Sequence, residues 1–76
     1  MNHIELENFA YNIVWLRKHY GISKKKMAQL LKVGLWTINK LEKGEFPPGL
    51  KIDILFTVQK EFRILPADQL SHKLGE

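Results

Sequence analysis

The chemistry-bearing side chains of this sequence are cations, and they are crowded. Between Arg17 and Lys43 stand Arg17, Lys18, Lys24, Lys25, Lys26, Lys32, Lys40 and Lys43, with Glu42 as the only acid. Elsewhere the balance reverses, with four cations against seven acids. A field confined to one third of the chain attracts a polyanion, and nucleic acid is the simplest candidate. The plain alternative is a solvated lysine surface with no partner.

Other chemistries have no constellation to work with. His3, His19 and His72 are isolated, with no partner at metal-ligand spacing. Ser23 and Ser71 have no accompanying base, Glu5 and Glu7 fall on different helix faces, and Gly44 and Gly49 belong to no phosphate loop. Cysteine is absent, which excludes disulfides, thiolate nucleophiles, zinc fingers and cysteine-ligated clusters. The expectation is a binding protein rather than an enzyme, with no metal and no cofactor.

Positioning these side chains falls to one small domain. The 76 residues, 45% hydrophobic and 26% charged with a net charge of +4, suit a single globular unit over residues 1–76. They exclude a multi-domain enzyme and disfavour a deep catalytic cleft. Without cysteines the unit must hold together by helix packing, helped or not by a partner chain. The longest strictly apolar runs are short, as at Ile54–Phe56, far below the roughly 18 residues of a membrane span. Glu5 and Glu7 near the start argue against a secretory signal, so the expected location is the cytoplasm.

Apolar spacing predicts five helices. The first covers about Leu6 to His19, with Phe9, Ile13 and Leu16 as its buried stripe and Val14 and Trp15 widening it. Gly21 stops it. Ser23 is placed to cap a second helix, Lys24 to Leu31, whose core residues are Met27, Ala28 and Leu31. Lysines in its first turn oppose the helix macrodipole, which fits an external anion approaching that end better than it fits stability. After a tight connection at Lys32 to Gly34, a third helix runs from about Leu35 to Lys43, with Ile38 and Leu41 inward and Gly44 at its end. A loop through Pro47, Pro48 and Gly49 leads to a fourth helix, about Leu50 to Phe62. Its expected stripe is Ile52, Leu55, Val58 (or Gln59) and Phe62, with Ile54 and Phe56 off it. Pro66 opens a short fifth helix to Leu70. The tail, residues 71–76, is expected to be loose.

Residues 24–43 form the central constellation. Two short helices are separated by about three residues, and the small Ala28 sits where they press together. Met27, Leu31, Val33, Ile38 and Leu41 supply apolar contacts. That is a helix-turn-helix, in which one helix braces across the sugar-phosphate backbone and the next enters the major groove.

Here the sequence resembles the phage-repressor class of helix-turn-helix proteins, the Cro/C1 or XRE-type domains. The matching residues run in order: Leu16-Arg17, Gly21-Ile22-Ser23, Met27-Ala28-Gln29-Leu30-Leu31, Val33, Thr37-Ile38, Leu41-Glu42-Lys43-Gly44 and Pro48. Phe62 to Leu70 looks like the family's closing turn and last helix. The resemblance spans about Phe9 to Leu70. It implies an all-α, compact five-helix bundle of lambda-repressor-like fold, and transcription regulation in bacteria or phage through a homodimer on a two-fold operator. It also implies a buried ion pair between Arg17 and Glu42, with the guanidinium held near a phosphate. A solvated surface pair is the alternative. Carried over position by position, the base-reading residues are Leu35, Trp36, Thr37, Asn39 and Lys40, and the phosphate contacts are Arg17, Lys24, Lys25 and Lys43.

The sequence departs from the family pattern in four places. Lys32 stands where glycine is usual, at a cost on the order of 1 kcal/mol if the backbone is left-handed there. Gly34 replaces the usual Ser or Thr cap. The loop before the fourth helix is about two residues longer than the family's common pattern. Leu35 and Trp36 put apolar bulk at positions that are usually polar. Trp36 then has three readings: packed over the loop near Phe46, in contact with thymine methyls and sugars, or part of a protein interface. Trp15, Ile54 and Phe56 are either additional core or a dimer face formed by the fourth helix and the segment after it. The functional expectation is a sequence-specific regulator of double-stranded DNA, in the first instance a repressor. The rival is a protein-interaction module or antitoxin-type adaptor that keeps the fold and grips a partner through Trp36, Leu35 and Phe46.

Overall fold

The computed structural model describes all 76 residues as five α-helices with no strand. They are α1 (His3–His19), α2 (Lys24–Leu31), α3 (Leu35–Glu42), α4 (Asp53–Phe62) and α5 (Pro66–Ser71). The central helix is α1, which packs against both α3 and α5, while α3 also packs on α2 and α4 joins α2 to α5. The radius of gyration, 11.0 Å, is that of a close-packed chain of this length.

The core is one cluster. Phe9, Ala10, Ile13 and Leu16 of α1 meet Met27, Ala28 and Leu31 of α2, Ile38 and Leu41 of α3, and Ile54, Leu55 and Val58 of α4. Each large side chain removed from water in this way contributes roughly 1.5–3 kcal/mol. Phe46 anchors the loop between α3 and α4 by setting its ring against Phe9, with centroids 6.0 Å apart. Pro47 beside it is buried.

The first three helices end the same way. A residue two or three past each helix donates to a carbonyl five residues back: Ile22 to Arg17, Val33 to Ala28 and Glu45 to Lys40, each at 3.0 Å. This closure requires a left-handed residue just before the donor. Gly21 and Gly44 supply it without strain, and Lys32 supplies it at φ 58°, ψ 42°. Lys32 therefore carries the backbone cost expected for a lysine at a glycine position. Arg63, at φ 59°, does the same after α4.

Several boundaries differ from the sequence expectation. The first helix starts at His3 rather than Leu6, because the Asn2 side chain accepts from the Glu5 amide at 2.8 Å while Glu5 accepts from the Asn2 amide at 3.0 Å. The third ends at Glu42 with Lys43 as its cap, and the fifth reaches Ser71. The fourth starts at Asp53 rather than Leu50, because Leu50 to Ile52 are spent on turns leaving Pro47 and Gly49. That shift exposes Ile52 and brings Ile54 into the core in its place.

The tail is docked rather than loose. Asn12, buried in α1, donates from Nδ2 to the carbonyls of Gln69 and His72, both at 2.9 Å, and its Oδ1 accepts from the Leu74 amide at 2.7 Å. One turn earlier, Asn8 donates to the Leu70 carbonyl at 2.8 Å. From α5, the buried Gln69 donates to the carbonyls of Leu55 and Ile64 at 2.9 and 2.8 Å. Three buried amides thus tie α5 and the tail to α1 and α4, with only the Gln69 Oε1 among their buried side-chain atoms left without a hydrogen-bond partner.

Candidate nucleic-acid interface

The interface is built on α2, α3 and the turn between them. Ser23 starts α2 by accepting from the Lys26 amide at 3.0 Å. This leaves Lys24, Lys25 and Lys26 exposed on the first turn, where no acid offsets them. The macrodipole opposes each by a few tenths of a kcal/mol, a cost that an approaching anion reverses. The ion pairs of the chain are Arg17–Glu42 and Lys40–Glu45, and the His3 ring meets the Glu7 carboxylate at 2.9 Å. The charges of Lys24, Lys25, Lys26, Lys32 and Lys43 are therefore free of internal partners.

Gly34 opens α3 with no side-chain cap. Ile38 and Leu41 turn inward and fix the roll of the helix. The opposite face follows from that roll. Leu35 is 47% exposed and Trp36 56%, and Thr37, Asn39 and Lys40 are half-buried beside them. Lys40 reaches back over Trp36, with Nζ 5.5 Å from the ring centroid, and also pairs with Glu45 at 3.0 Å. Trp36 is too exposed to be packed over the loop, and the Phe46 ring pairs with Phe9 rather than with it. Two readings of Trp36 survive, contact with DNA and contact with a protein.

Arg17 and Glu42 meet beneath this face. Nε donates to Oε2 at 2.6 Å and Nη2 to Oε1 at 3.1 Å, a two-pronged pairing, and Nη1 donates to the Ile22 carbonyl at 3.3 Å. The side chains are only 17% and 15% exposed. The pair ties the end of α1, the turn after it and the end of α3 into one unit. It also occupies most of the guanidinium, leaving Arg17 less to offer a phosphate than the surrounding lysines have.

The off-stripe apolar residues separate. Ile54 is core, Trp15 is half-buried and stacks on His19 with centroids 4.5 Å apart, and Phe56 stays exposed. Phe56 borders a shallow groove of about 440 Å³ with Gln59, Lys60, Arg63 and Leu65. No cluster of three or more His, Asp or Glu side chains is brought to metal-binding distance.

A family model described as Helix-turn-helix matches residues 13–52, just over half of the chain. The chain belongs to the Cro/C1-type helix-turn-helix family. No curated protein and no solved structure gives a significant match. The matched stretch runs from Ile13 in α1 to Ile52 before α4, so it contains Arg17, both helices of the motif and Glu42. Membership makes this helix-turn-helix chain one of a family of DNA-binding regulators. No helix is long and apolar enough to cross a membrane.

Sequence reasoning missed two features of the site. Glu45 restrains Lys40 from five residues away, across a helix end, where no helical spacing rule applies. The Asn8, Asn12 and Gln69 clamp holds α1, which in turn carries Arg17. Its one local signal is that Asn8 and Asn12 are spaced i, i+4 along the edge of the apolar stripe.

Proposed function

We propose that this chain is a sequence-specific regulator of double-stranded DNA, acting as a repressor, with α3 in the major groove and α2 braced on the backbone. One observation carries the reading. The outward face of α3 is left uncovered by the protein's own structure, and the lysines beside it on α2 have no internal ion-pair partner. On this reading Lys24, Lys25 and Lys43 neutralise phosphates, with Arg17 in a lesser share. Asn39 reads adenine through its amide, Thr37 meets a thymine methyl or a phosphate, and Lys40 reaches a phosphate or a guanine. The role is binding rather than catalysis, in the cytoplasm.

A homodimer follows from reach. At eight residues α3 is about 12 Å long, enough for only three or four base pairs. A second copy on a two-fold site doubles the sequence that is read. The exposed Phe56 on α4 and Leu65 after it are the proposed contact between copies.

The test is a binding titration on a duplex enriched from a random pool, repeated at several salt concentrations. The logarithm of affinity is expected to fall linearly with the logarithm of salt, and removing Lys24 or Lys25 should lower that slope by about one. A flat slope refutes the proposal. Exposed Leu35 and Trp36 also fit a protein-interaction module. Lys40→Glu separates the two, abolishing the DNA response while leaving a protein contact intact.

A further inference from the structure

The two residues that lead α3 are the wrong chemistry for most of what a duplex displays. Leu35 has no hydrogen-bonding side-chain atom, and Trp36 has a single donor on a broad apolar ring. Both stand at the N-terminal end of the helix, the end from which side chains reach base edges in this motif. Both are about half exposed, whereas the apolar residues behind them, Ile38 and Leu41, are fully packed. Removing either from water would stabilise a complex, but only against an apolar surface.

The major groove offers one such surface. The base edges there show donors, acceptors and flat ring C–H groups, and the C5-methyl of thymine is the one apolar group that projects from them. We infer that Leu35 and Trp36 form an apolar reading edge for thymine methyl groups, so that the operator half-site carries thymine where α3 enters. This rests on the DNA-binding reading above and names the base class that the same face selects.

The charges around the pair favour DNA as the occupant. Lys32 precedes it in the turn, Lys40 stands over the Trp36 ring at 5.5 Å, and Lys43 caps the end of the same helix. A protein partner seated on Leu35 and Trp36 would have to meet those ammonium groups, whereas on DNA they lie towards the phosphates that flank the groove. Lys40 also fixes the ring. The cation stands against the ring, and Trp36 as a whole stays 56% exposed. Asn39 and Thr37 sit beside it to meet the neighbouring polar edges.

The experiment uses the unaltered protein and chemically altered DNA. A duplex enriched from a random pool is resynthesised with deoxyuridine replacing each thymidine in turn. That change deletes one methyl group and keeps every hydrogen-bonding atom. At one or more positions per half-site the affinity should fall about fourfold, the loss that accompanies one buried methyl. In Leu35→Ala or Trp36→Ala the same replacement should cost less than twofold, while the salt slope stays as in the unaltered protein. Both side chains are exposed, and unchanged thermal unfolding would show the variants folded. Uracil tolerated within twofold at every position, in a protein that still binds DNA with its full salt slope, would overturn the inference and leave Leu35 and Trp36 to a protein partner. Failure to enrich any duplex would defeat the DNA-binding reading itself, and this inference with it.

Discussion

Removing Glu42 tests how the motif is held to the rest of the bundle. Its carboxylate takes two hydrogen bonds from Arg17, at 2.6 and 3.1 Å, with both side chains about one-sixth exposed. Deleting one partner of a fully buried pair costs about 3–5 kcal/mol, because the survivor is left charged and unmet. Partial exposure lets water reach the orphaned guanidinium, so Glu42→Ala should cost about 2–3 kcal/mol. For a domain of this size each kcal/mol moves Tm by about 4–8 °C, which puts the expected fall at roughly 10–20 °C. Glu42→Gln keeps the shape but not the charge and should fall by about half as much. The decisive variant replaces both partners, Arg17→Met with Glu42→Leu. With no charge left unpaired it should return to within about 1 kcal/mol of the parent, giving a coupling of about 1.5 kcal/mol or more. Thermal unfolding followed by circular dichroism, with the cycle completed by Arg17→Met alone, measures each term. A loss below about 3 °C in Glu42→Ala, or additive single and double variants, would refute the idea that this pair fastens α3 to α1.

Three further outcomes follow from the same geometry. Lys32→Gly should raise Tm by about 3–6 °C, since a left-handed lysine costs about 1–2 kcal/mol and glycine returns part of that gain as unfolded-chain entropy. Asn12→Ala deprives the Gln69 and His72 carbonyls and the Leu74 amide of their partner, at about 3 kcal/mol. It should lower Tm by about 12 °C or more and speed amide exchange at Leu74. Glu45→Gln frees Lys40 from a partly exposed pair worth about 0–1 kcal/mol, so DNA affinity should rise by up to about fivefold while Tm stays within a few degrees.

What was legible in the sequence was whatever is written in short spacings. Phe9, Ile13 and Leu16 mark the inner face of α1, and Ser23, Gly21 and Gly44 mark the ends of α1 to α3, because caps and stripes are decided by neighbours within one or two turns. The five-helix class follows from those marks and from the ordered resemblance to the helix-turn-helix family. The start of α4 was not legible. Leu50 and Ile52 continue the apolar spacing, yet the prolines and Gly49 before them use those residues to turn the chain, so periodicity alone misplaces the entry. The start of α1 was written in the Asn2 and Glu5 pair, a polar signal that a search for apolar stripes passes over. Asn12 and Gln69 lie further out of reach, because their partners are backbone groups up to 62 residues away and no local pattern records them. For the candidate site, a linear reading finds the cations and the motif. It does not find that Glu45 restrains Lys40 or that Phe46 sets its ring against Phe9, since both depend on how the loop after α3 folds back.

The most direct measurement is an amide chemical-shift titration of the labelled protein with an enriched duplex. The account predicts that the largest changes fall on Lys24 to Lys26 and on Leu35, Trp36, Asn39, Lys40 and Lys43, with the Trp36 indole proton among the most affected. Changes gathered instead around Phe56 to Leu65, or a spectrum unmoved by duplex at low salt, would contradict it.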